Sequence, residues 1–257
     1  MEETIKLGDL TVKRIGLGTN RISDNDESRT VLKKAVELGV NFIDTAHRYG
    51  RSEEIIGQTL APYPEGVIIA TKGGWGEDNS PGTLGANIDQ SLRLLNLETI
   101  DLWQLHRADP NTPIEETMKF LKTQQDAGKI QHVGLSEVSV EQIEKARSVL
   151  PIVSVQNHYN LETRQHDDVL AYCEKEGIAF IPFFPLGHGS LVADSKLNKM
   201  ADKYDATPTQ IGLAWLLKRS PVMLPIPGTL SAEHLASNLA AAEIQLSNED
   251  YQALTEA

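Results

Sequence analysis

The sequence feature that most constrains the fold is a regular alternation of short apolar runs with longer amphipathic runs. Apolar runs such as 67–72 and 100–106 carry hydrophobic side chains at most positions, which is typical of strands buried on both faces of a parallel sheet. The runs that follow them, such as 84–95, place apolar residues at helical spacing. The predicted strands are residues 15–18, 41–45, 67–72, 100–106, 130–136, 152–157, 178–185 and 222–228.

Eight strand-then-helix units in 257 residues favour one closed barrel. A (β/α)8 barrel, the TIM-barrel architecture of the α/β class, uses about 250 residues as a single domain, and right-handed crossovers join its parallel strands. We therefore predict a single barrel domain over residues 1–257, with a short hairpin at 4–14 before its first strand. The predicted helices are residues 28–38, 52–60, 84–95, 114–128, 140–150, 166–177, 195–203, 208–219 and 231–242.

The charge balance and the cysteine count narrow the functional classes. The chain has 24 basic and 36 acidic residues, a net charge of −12, which argues against nucleic acids and anionic membranes as partners. A lone cysteine, Cys173, cannot form an internal disulfide and fits a reducing compartment. The charged N-terminus lacks the apolar segment of a secretory signal, and no apolar run approaches the roughly 18 residues of a membrane span. We expect a cytoplasmic protein.

Polar residues at the ends of three consecutive predicted strands are the candidates for catalysis. In a barrel of this kind, functional side chains gather at the carboxyl ends of the strands. Asp44, Lys72 and His106 each fall at such an end, and Tyr49 lies in the loop after the second strand. Because neighbouring strands are about 4.8 Å apart, we expect these four side chains to lie close together.

This combination of side chains suits general acid catalysis. A free tyrosine, with a pKa of about 10, donates protons poorly near neutral pH, but a neighbouring lysine ammonium favours the phenolate. The aspartate keeps the lysine charged and in place, and the histidine can hydrogen-bond a carbonyl oxygen of the substrate. Taken alone, each residue has a structural explanation, as a helix cap, a turn aromatic, a surface lysine or a core histidine. Their joint placement at strand ends favours a function.

Other functional classes are alternatives on the same residues. Lys72 could form a Schiff base in a lysine-dependent lyase or aldolase, although the pairing of Tyr49 with Asp44 argues against it. A catalytically inactive subunit that senses a cofactor is a second alternative. A metal hydrolase is disfavoured because no clustered ligand pattern accompanies His106, and we predict no metal site.

Seven short motifs in a fixed order give the chain a resemblance to the aldo-keto reductase family. FIDTAHRYG resembles the segment that carries the family's aspartate and tyrosine, ATKGG its lysine segment, and DLWQLH its histidine segment. HVGLSEVS, VQNHYN, FFPLG and IPGT follow in the family's order and spacing. The resemblance extends from residue 15 to the last helix, and it is nearest to the pyridoxal reductase-like subgroup.

The resemblance implies the NADPH-dependent reduction of small aldehydes or ketones to alcohols, a reversible reaction. NADPH would deliver a hydride to the carbonyl carbon, and Tyr49 would protonate the oxygen. Lys72 and Asp44 would assist the tyrosine, while His106 would orient the substrate. The partner of this enzyme would thus be a small carbonyl compound, and the sequence makes no prediction of its oligomeric state.

The family binds its cofactor extended across the barrel mouth, and matching motifs imply the binding residues. Ser136 and Gln156 would hydrogen-bond the nicotinamide amide, and Phe183 would stack on its ring. Glycines near the pyrophosphate would allow close backbone contact. The implied residues are Gly18, Thr19, Asn20, Asp44, Ser136, Gln156, Phe183, Pro185, Leu186, Gly187, Gly189, Ser190, Gly228, Thr229, His234 and Asn238.

Three positions depart from the family pattern. Gly228 stands where a lysine is common and His234 where an arginine is frequent, and both of those cations usually hold the 2′-phosphate of NADPH. The site therefore offers that phosphate less positive charge, which makes NADH a possible cofactor as well. Glu137 replaces an asparagine that is common beside the serine, and its carboxylate could accept a hydrogen bond from the nicotinamide amide.

Substrate predictions follow from the subgroup and from the C-terminal segment. The subgroup suggests pyridoxal or other small aldehydes as substrates. The sequence ends soon after the last predicted helix, so we expect a short lid or none, an open site and broad specificity. Rim contacts are expected from Trp75, Trp103, and His158 or Tyr159, with packing in the barrel wall as an equal alternative for Trp103.

Overall fold

A computed structural model describes residues 3–75, 78–187 and 195–256, and within them strands and helices alternate. None of the helices in these ranges is long and apolar enough to cross a membrane. The strands are β1 (Thr4–Leu7), β2 (Leu10–Lys13), β3 (Leu17–Gly18), β4 (Phe42–Asp44), β5 (Ile68–Trp75), β6 (Ile100–Arg107), β7 (Ile130–Ser136), β8 (Ile152–Gln156) and β9 (Ala179–Phe180). The helices are α1 (Asp26–Glu37), α2 (Ser52–Leu60), α3 (Pro81–Leu95), α4 (Ile114–Asp126), α5 (Val140–Arg147), α6 (Asp167–Glu176), α7 (Ser195–Tyr204), α8 (Pro208–Arg219), α9 (Ala232–Ala240) and α10 (Asn248–Thr255).

Strands β3 to β9 form one parallel sheet in which each strand pairs with its neighbours in sequence. The predicted hairpin is confirmed as the antiparallel pair β1 and β2. A helix lies between each pair of successive sheet strands. In a barrel the strands follow one another around the sheet in chain order, whereas in a doubly wound sheet the strand order reverses at a switch point. The observed strand order is that of a barrel.

Residues 222–228 close the sheet, but the prediction that they form a regular eighth strand is wrong. Within the described chain this segment makes only an isolated bridge, because Pro225 and Pro227 carry no N–H and cannot complete a ladder. The carbonyl groups of both prolines still accept backbone hydrogen bonds from the β3 segment, at 3.0 and 3.4 Å. On its other side, the segment exchanges backbone hydrogen bonds with Phe180 in β9. The sheet is thereby closed, and the fold is a (β/α)8 barrel.

The seventh predicted strand, 178–185, is also shorter in the structure, where β9 covers two residues. Pro182 and Pro185 interrupt the run of backbone donors. Phe183, which lies between them, still donates its N–H to the carbonyl of Asn157 at 3.2 Å. The chain therefore continues along β8 in an extended form after the regular pairing ends. Each of the other predicted strands and helices overlaps an observed element.

The two faces of the sheet are buried against different layers, as strand β4 illustrates. Phe42 packs in a core cluster with Leu7 and Val12 of the hairpin. The next residue, Ile43, belongs to a separate cluster that includes side chains of α1 and α2. Successive strand residues point to opposite faces, so Phe42 faces the barrel interior and Ile43 the helices.

Close packing of α2 on α3 generates a stability prediction at Gly57. A Cβ added to this glycine would lie 2.1 Å from the backbone carbonyl oxygen of Leu94, which cannot move aside cheaply. Gly57→Ala should therefore lower the free energy of unfolding by about 1–3 kcal/mol through overpacking, even though alanine gains about 1 kcal/mol in helix propensity. Urea denaturation followed by circular dichroism measures this change.

Gly85 in α3 provides the matched control. A Cβ there meets only the ring of Phe120 at 3.5 Å, an ordinary contact. Gly85→Ala should leave the stability unchanged or raise it by up to about 1 kcal/mol. Equal effects of the two substitutions would contradict the tight packing of α2 on α3.

Candidate active site

Asp44, Lys72 and His106 lie toward the carboxyl ends of the adjacent strands β4, β5 and β6, where the sequence places them. The Nζ atom of Lys72 donates a hydrogen bond to Asp44 Oδ1 at 2.7 Å, and both side chains are almost completely buried. The same Nζ donates to the backbone carbonyl of Thr45 at 2.7 Å. Two acceptors at the end of β4, the Asp44 carboxylate and the Thr45 carbonyl oxygen, therefore hold the Lys72 ammonium in place.

The charge state of Lys72 follows from these contacts. Burial alone lowers the pKa of its ammonium, but the Asp44 carboxylate and the Tyr49 side chain outweigh burial, and the pKa is raised. The lysine is therefore a cation inside the barrel at physiological pH. Its Nζ lies 5.0 Å from the centre of the Tyr49 ring.

Two glutamines complete the environment of Asp44. Its Oδ2 atom accepts hydrogen bonds from Gln156 Nε2 at 2.9 Å and from Gln104 Nε2 at 3.2 Å. The sequence prediction missed Gln104, although it stands two residues before His106 in β6. That spacing places both side chains on one face of the strand, and it was a signal available in the sequence.

His106 is buried beside the tyrosine. The rings of Tyr49 and His106 are 6.1 Å apart in an edge-on arrangement, and the Trp75 ring lies edge-on to His106 at 4.5 Å. Burial is the main cause that lowers the pKa of His106, and together with the positive charges of Lys72, Arg107 and Arg48 it brings this pKa to about 2. The imidazole is thus neutral across the physiological pH range. The four predicted catalytic side chains form one cluster, hereafter the four-residue cluster.

A first cleft beside the four-residue cluster has a volume of about 200 Å³ and contains many residues that the resemblance associates with the cofactor. Phe183 lines this cleft and stacks on His158 at 5.2 Å. The sequence prediction did not include Arg21 or Phe184, which also line it. The expected cofactor residues in its lining are Gly18, Thr19, Asn20, Asp44, Gln156, Phe183, Pro185, Leu186 and Gly228.

Other expected cofactor residues do not line this cleft. Ser136 is buried, and its Oγ accepts a hydrogen bond from Arg107 Nη1 at 3.1 Å. Thr229 Oγ1 accepts from the N–H of Ser231 at 3.0 Å, just before α9. His234 and Asn238 both lie on α9, where His234 is exposed and Asn238 is buried. Gly187 has a positive φ. Gly189 and Ser190 lie outside the described residues.

Glu137 has a contact that the sequence did not indicate. Its Oε1 atom accepts a hydrogen bond from the backbone N–H of His158 at 2.7 Å. Its backbone has a φ of 54°, a left-handed conformation that is uncommon for a residue with a side chain. The Glu137 carboxylate therefore holds the backbone that follows β8 in position beside the first cleft.

The structure decides between the alternatives for two of the expected rim residues, Trp103 and Tyr159, and places neither at the rim. Trp103 is fully buried in the core between the sheet and the helices. It stands three residues before His106 in β6, and this odd offset turns it to the opposite face of the strand. Tyr159 is also fully buried, with its hydroxyl donating to Asp167 at 2.5 Å. Trp75 is 41% exposed and borders His106, as expected of a rim residue.

Comparisons with known proteins agree with this geometry. A family model described as the aldo/keto reductase family matches residues 14–257. An uncharacterised oxidoreductase of Schizosaccharomyces pombe is 43% identical, over 98% of this chain and 89% of that protein. Pyridoxine 4-dehydrogenase of Escherichia coli is 38% identical, over 96% of this chain and 95% of that enzyme.

A solved structure gives the same result for the fold. An aldo/keto reductase from Klebsiella pneumoniae, crystallised with NADP and acetate, superposes with a TM-score of 0.92. It is 26% identical in sequence, and the match covers 100% of this chain and 95% of that one. The chain described above therefore belongs to the aldo/keto reductase family.

Proposed function

We propose that this chain reduces small aldehydes and ketones to alcohols with NADPH, and that Tyr49 donates the proton. The observation that carries the proposal is the contact of Tyr49 with a buried, charged Lys72 that is itself paired with Asp44. Family membership makes the chain an NAD(P)H-dependent oxidoreductase. The similarity to pyridoxine 4-dehydrogenase favours pyridoxal among the candidate substrates.

The first cleft has the donor set that a nicotinamide cofactor needs. Gln156 offers its side-chain carbonyl oxygen, since its Nε2 already donates to Asp44 and Gln104. Phe183 offers an aromatic face and Asn20 a side-chain amide, while Arg21 supplies a cation. The Klebsiella pneumoniae enzyme was crystallised with NADP, which supports NADPH for this chain. NADH stays possible because Gly228 and His234 add no fixed positive charge.

The proposed reduction needs one hydride and one proton, and the cofactor and Tyr49 account for both. When bound, NADPH supplies a hydride to the carbonyl carbon of the substrate and becomes NADP⁺. The carbonyl oxygen takes the phenolic proton of Tyr49, and the alcohol leaves. The Lys72 ammonium stabilises the negative charge left on the Tyr49 oxygen until solvent returns a proton.

Neutral His106 suits the task of orienting the substrate. Its ring is edge-on to Tyr49, so an imidazole N–H can hydrogen-bond the same carbonyl oxygen. A charged imidazolium would compete with Tyr49 as the proton donor. Burial prevents that competition by keeping His106 neutral.

The structure offers little support for the lyase alternative. A lysine that forms Schiff bases needs a free amine, which usually requires a lowered pKa. The pKa of Lys72 is raised, and its Nζ is bound to Asp44 and Thr45. A subunit that only senses the cofactor would not need the four-residue cluster.

We also propose that residues 1–257 form one barrel domain that acts in the cytoplasm. The family model spans residues 14–257, which supports the single domain. Cys173 is buried, and burial raises the pKa of its thiol to about 12, so it stays an inert core residue.

Replacing Tyr49 tests the proton donor. Tyr49→Phe should lower kcat/KM for pyridoxal by about 10²–10⁴-fold, since it removes the acid and keeps the ring. NADPH oxidation at 340 nm measures the rate, and NADPH fluorescence checks that the cofactor still binds. The matched control is Tyr251→Phe, a half-buried tyrosine on α10 whose hydroxyl has no hydrogen-bond partner in the described chain. Similar rates for both variants would remove Tyr49 from the mechanism.

The neutral state of His106 gives a pH-dependent prediction. In the unfolded chain its pKa is about 6.5, whereas in the fold it is about 2. Below pH 6.5 the unfolded state binds the extra proton, so stability falls as the pH is lowered. Between pH 7 and pH 5, wild type should lose about 2 kcal/mol more stability than His106→Asn. Urea denaturation at both pH values measures this, and equal losses would mean that folded His106 takes up the proton.

The cofactor preference tests the departures from the family pattern. His234 is exposed at the start of α9, so His234→Arg adds a permanent charge without disturbing the core. The ratio of kcat/KM for NADPH to that for NADH should rise about five- to tenfold. Initial-rate assays with each cofactor in turn, and with the same aldehyde, measure this ratio of kcat/KM values. An unchanged ratio would place the 2′-phosphate away from α9.

A further inference from the structure

A second cleft borders the four-residue cluster and has no role in the proposal above. It has a volume of about 440 Å³, and its lining includes His106, Lys72, Trp75 and Arg48. Tyr49 lines the first cleft and His106 the second. The reacting carbonyl group would therefore lie beside Tyr49 and His106, whose rings are 6.1 Å apart, and the rest of the substrate would extend into the second cleft.

Two guanidinium groups flank Trp75, the exposed indole of this cleft. Arg48 lines the cleft itself, whereas Arg107 lies outside its lining, against the indole. The Cζ atom of Arg48 lies 4.1 Å from the centre of the Trp75 ring, and that of Arg107 lies 5.1 Å from it. Arg107 Cζ also lies 5.8 Å from the Phe183 ring, so it reaches toward the first cleft. A chain with a net charge of −12 thus concentrates cations around its candidate active site.

Much of the donor capacity of these arginines is unused. Arg48 is exposed and has no hydrogen bond or ion pair with any residue that the structure describes. Arg107 uses Nη1 to donate to the His106 carbonyl at 2.7 Å and to Ser136 Oγ at 3.1 Å. Its Nε and Nη2 atoms have no hydrogen-bond acceptor among the described residues. Each guanidinium carries five N–H donors arranged to match a planar anion.

Carboxylates near the arginines are engaged elsewhere. Asp78 lines the second cleft, but it accepts hydrogen bonds from the N–H of Ser80 at 2.8 Å and from the Thr83 hydroxyl. Glu137 opposes the effect of burial on the pKa of Arg107, yet its Oε1 is committed to the His158 backbone. Within the described ranges, neither carboxylate forms an ion pair with Arg48 or Arg107.

We propose that the enzyme prefers carbonyl substrates that carry an anionic group, a carboxylate or a phosphate, over substrates that carry neither, such as pyridoxal. Arg48 and Arg107 bind the anion beside Trp75 at the second cleft, while the indole covers the apolar part of the substrate. This proposal rests on the proposed reductase function. Charge-assisted hydrogen bonds from guanidinium to oxyanions are short and strong, and they fix orientation. Binding of the anionic group by the arginines holds the carbonyl group of the substrate beside Tyr49 and His106. Anionic substrates therefore have a higher kcat/KM than neutral ones.

The test compares aldehydes of nearly the same shape that differ in charge. The probes are 4-formylbenzoate, its neutral methyl ester and 4-formylphenyl phosphate, each assayed with NADPH at low salt. Wild type should show a kcat/KM about tenfold higher for at least one anion than for the ester. The anion with the larger preference identifies the class, carboxylate or phosphate. Raising NaCl to 0.5 M should reduce the preference, because salt screens partly exposed charges.

Variants then assign the preference to residues. Arg48→Gln should reduce the anion-to-ester ratio by about five- to tenfold, and Arg48→Glu should lower it further. The matched control is Arg51→Gln in the same loop, where the exposed arginine pairs with Asp24 and Glu54, and the ratio should stay at the wild-type value.

Three results would overturn the proposal. Equal kcat/KM for ester and anions in wild type would exclude anion selection while leaving the reductase function intact. An unchanged ratio in both Arg48 variants would exclude this site. No reduction of any probe would overturn the anion proposal, and if pyridoxal is not reduced either, the proposed function falls with it.

Discussion

The active end of this barrel depends on one buried ion pair, Lys72 with Asp44. Removing two charges from water costs several kcal/mol for each ion, which only close geometry and additional hydrogen bonds offset. Asp44 has the Lys72 ammonium on one oxygen and two glutamine amides on the other, and Lys72 also binds the Thr45 carbonyl. Breaking the pair would leave an uncompensated charge, so the strand ends of β4, β5 and β6 are fixed relative to one another.

The electrostatics around this pair assign different tasks to neighbouring groups. Lys72 stays charged beside Tyr49, while burial and three nearby cations keep His106 neutral. In the proposed reaction, Tyr49 would therefore give up a proton, whereas His106 would only donate a hydrogen bond. Arg48 and Arg107 extend the positive region outward along Trp75. In the proposed reaction, an anionic substrate would contact the two arginines at the rim of the barrel, and proton transfer would take place at Tyr49 in the centre.

Much of this arrangement could be predicted from sequence because barrels place functional side chains by a simple rule. Strand-end positions identified Asp44, Lys72 and His106, and their contacts follow from the pairing of adjacent strands. The period of two along β6 could also have found Gln104 and rejected Trp103. The proline pair in 222–228 could have warned against a regular strand. Loop conformations could not be predicted, and these set the stacking of Arg48 on Trp75 and the bond from Glu137 to His158.

The most direct test of the central claim is the rate of NADPH-dependent aldehyde reduction by Lys72→Met. Methionine keeps an unbranched side chain, one heavy atom shorter, and removes the charge beside Tyr49 together with the hydrogen bonds of Nζ to Asp44 and Thr45. If the ion pair supports proton donation, kcat/KM falls at least about 10²-fold while circular dichroism reports a folded barrel and NADPH still binds. A folded Lys72→Met enzyme with a rate near that of wild type would contradict the account, because Tyr49 would then donate its proton without the lysine.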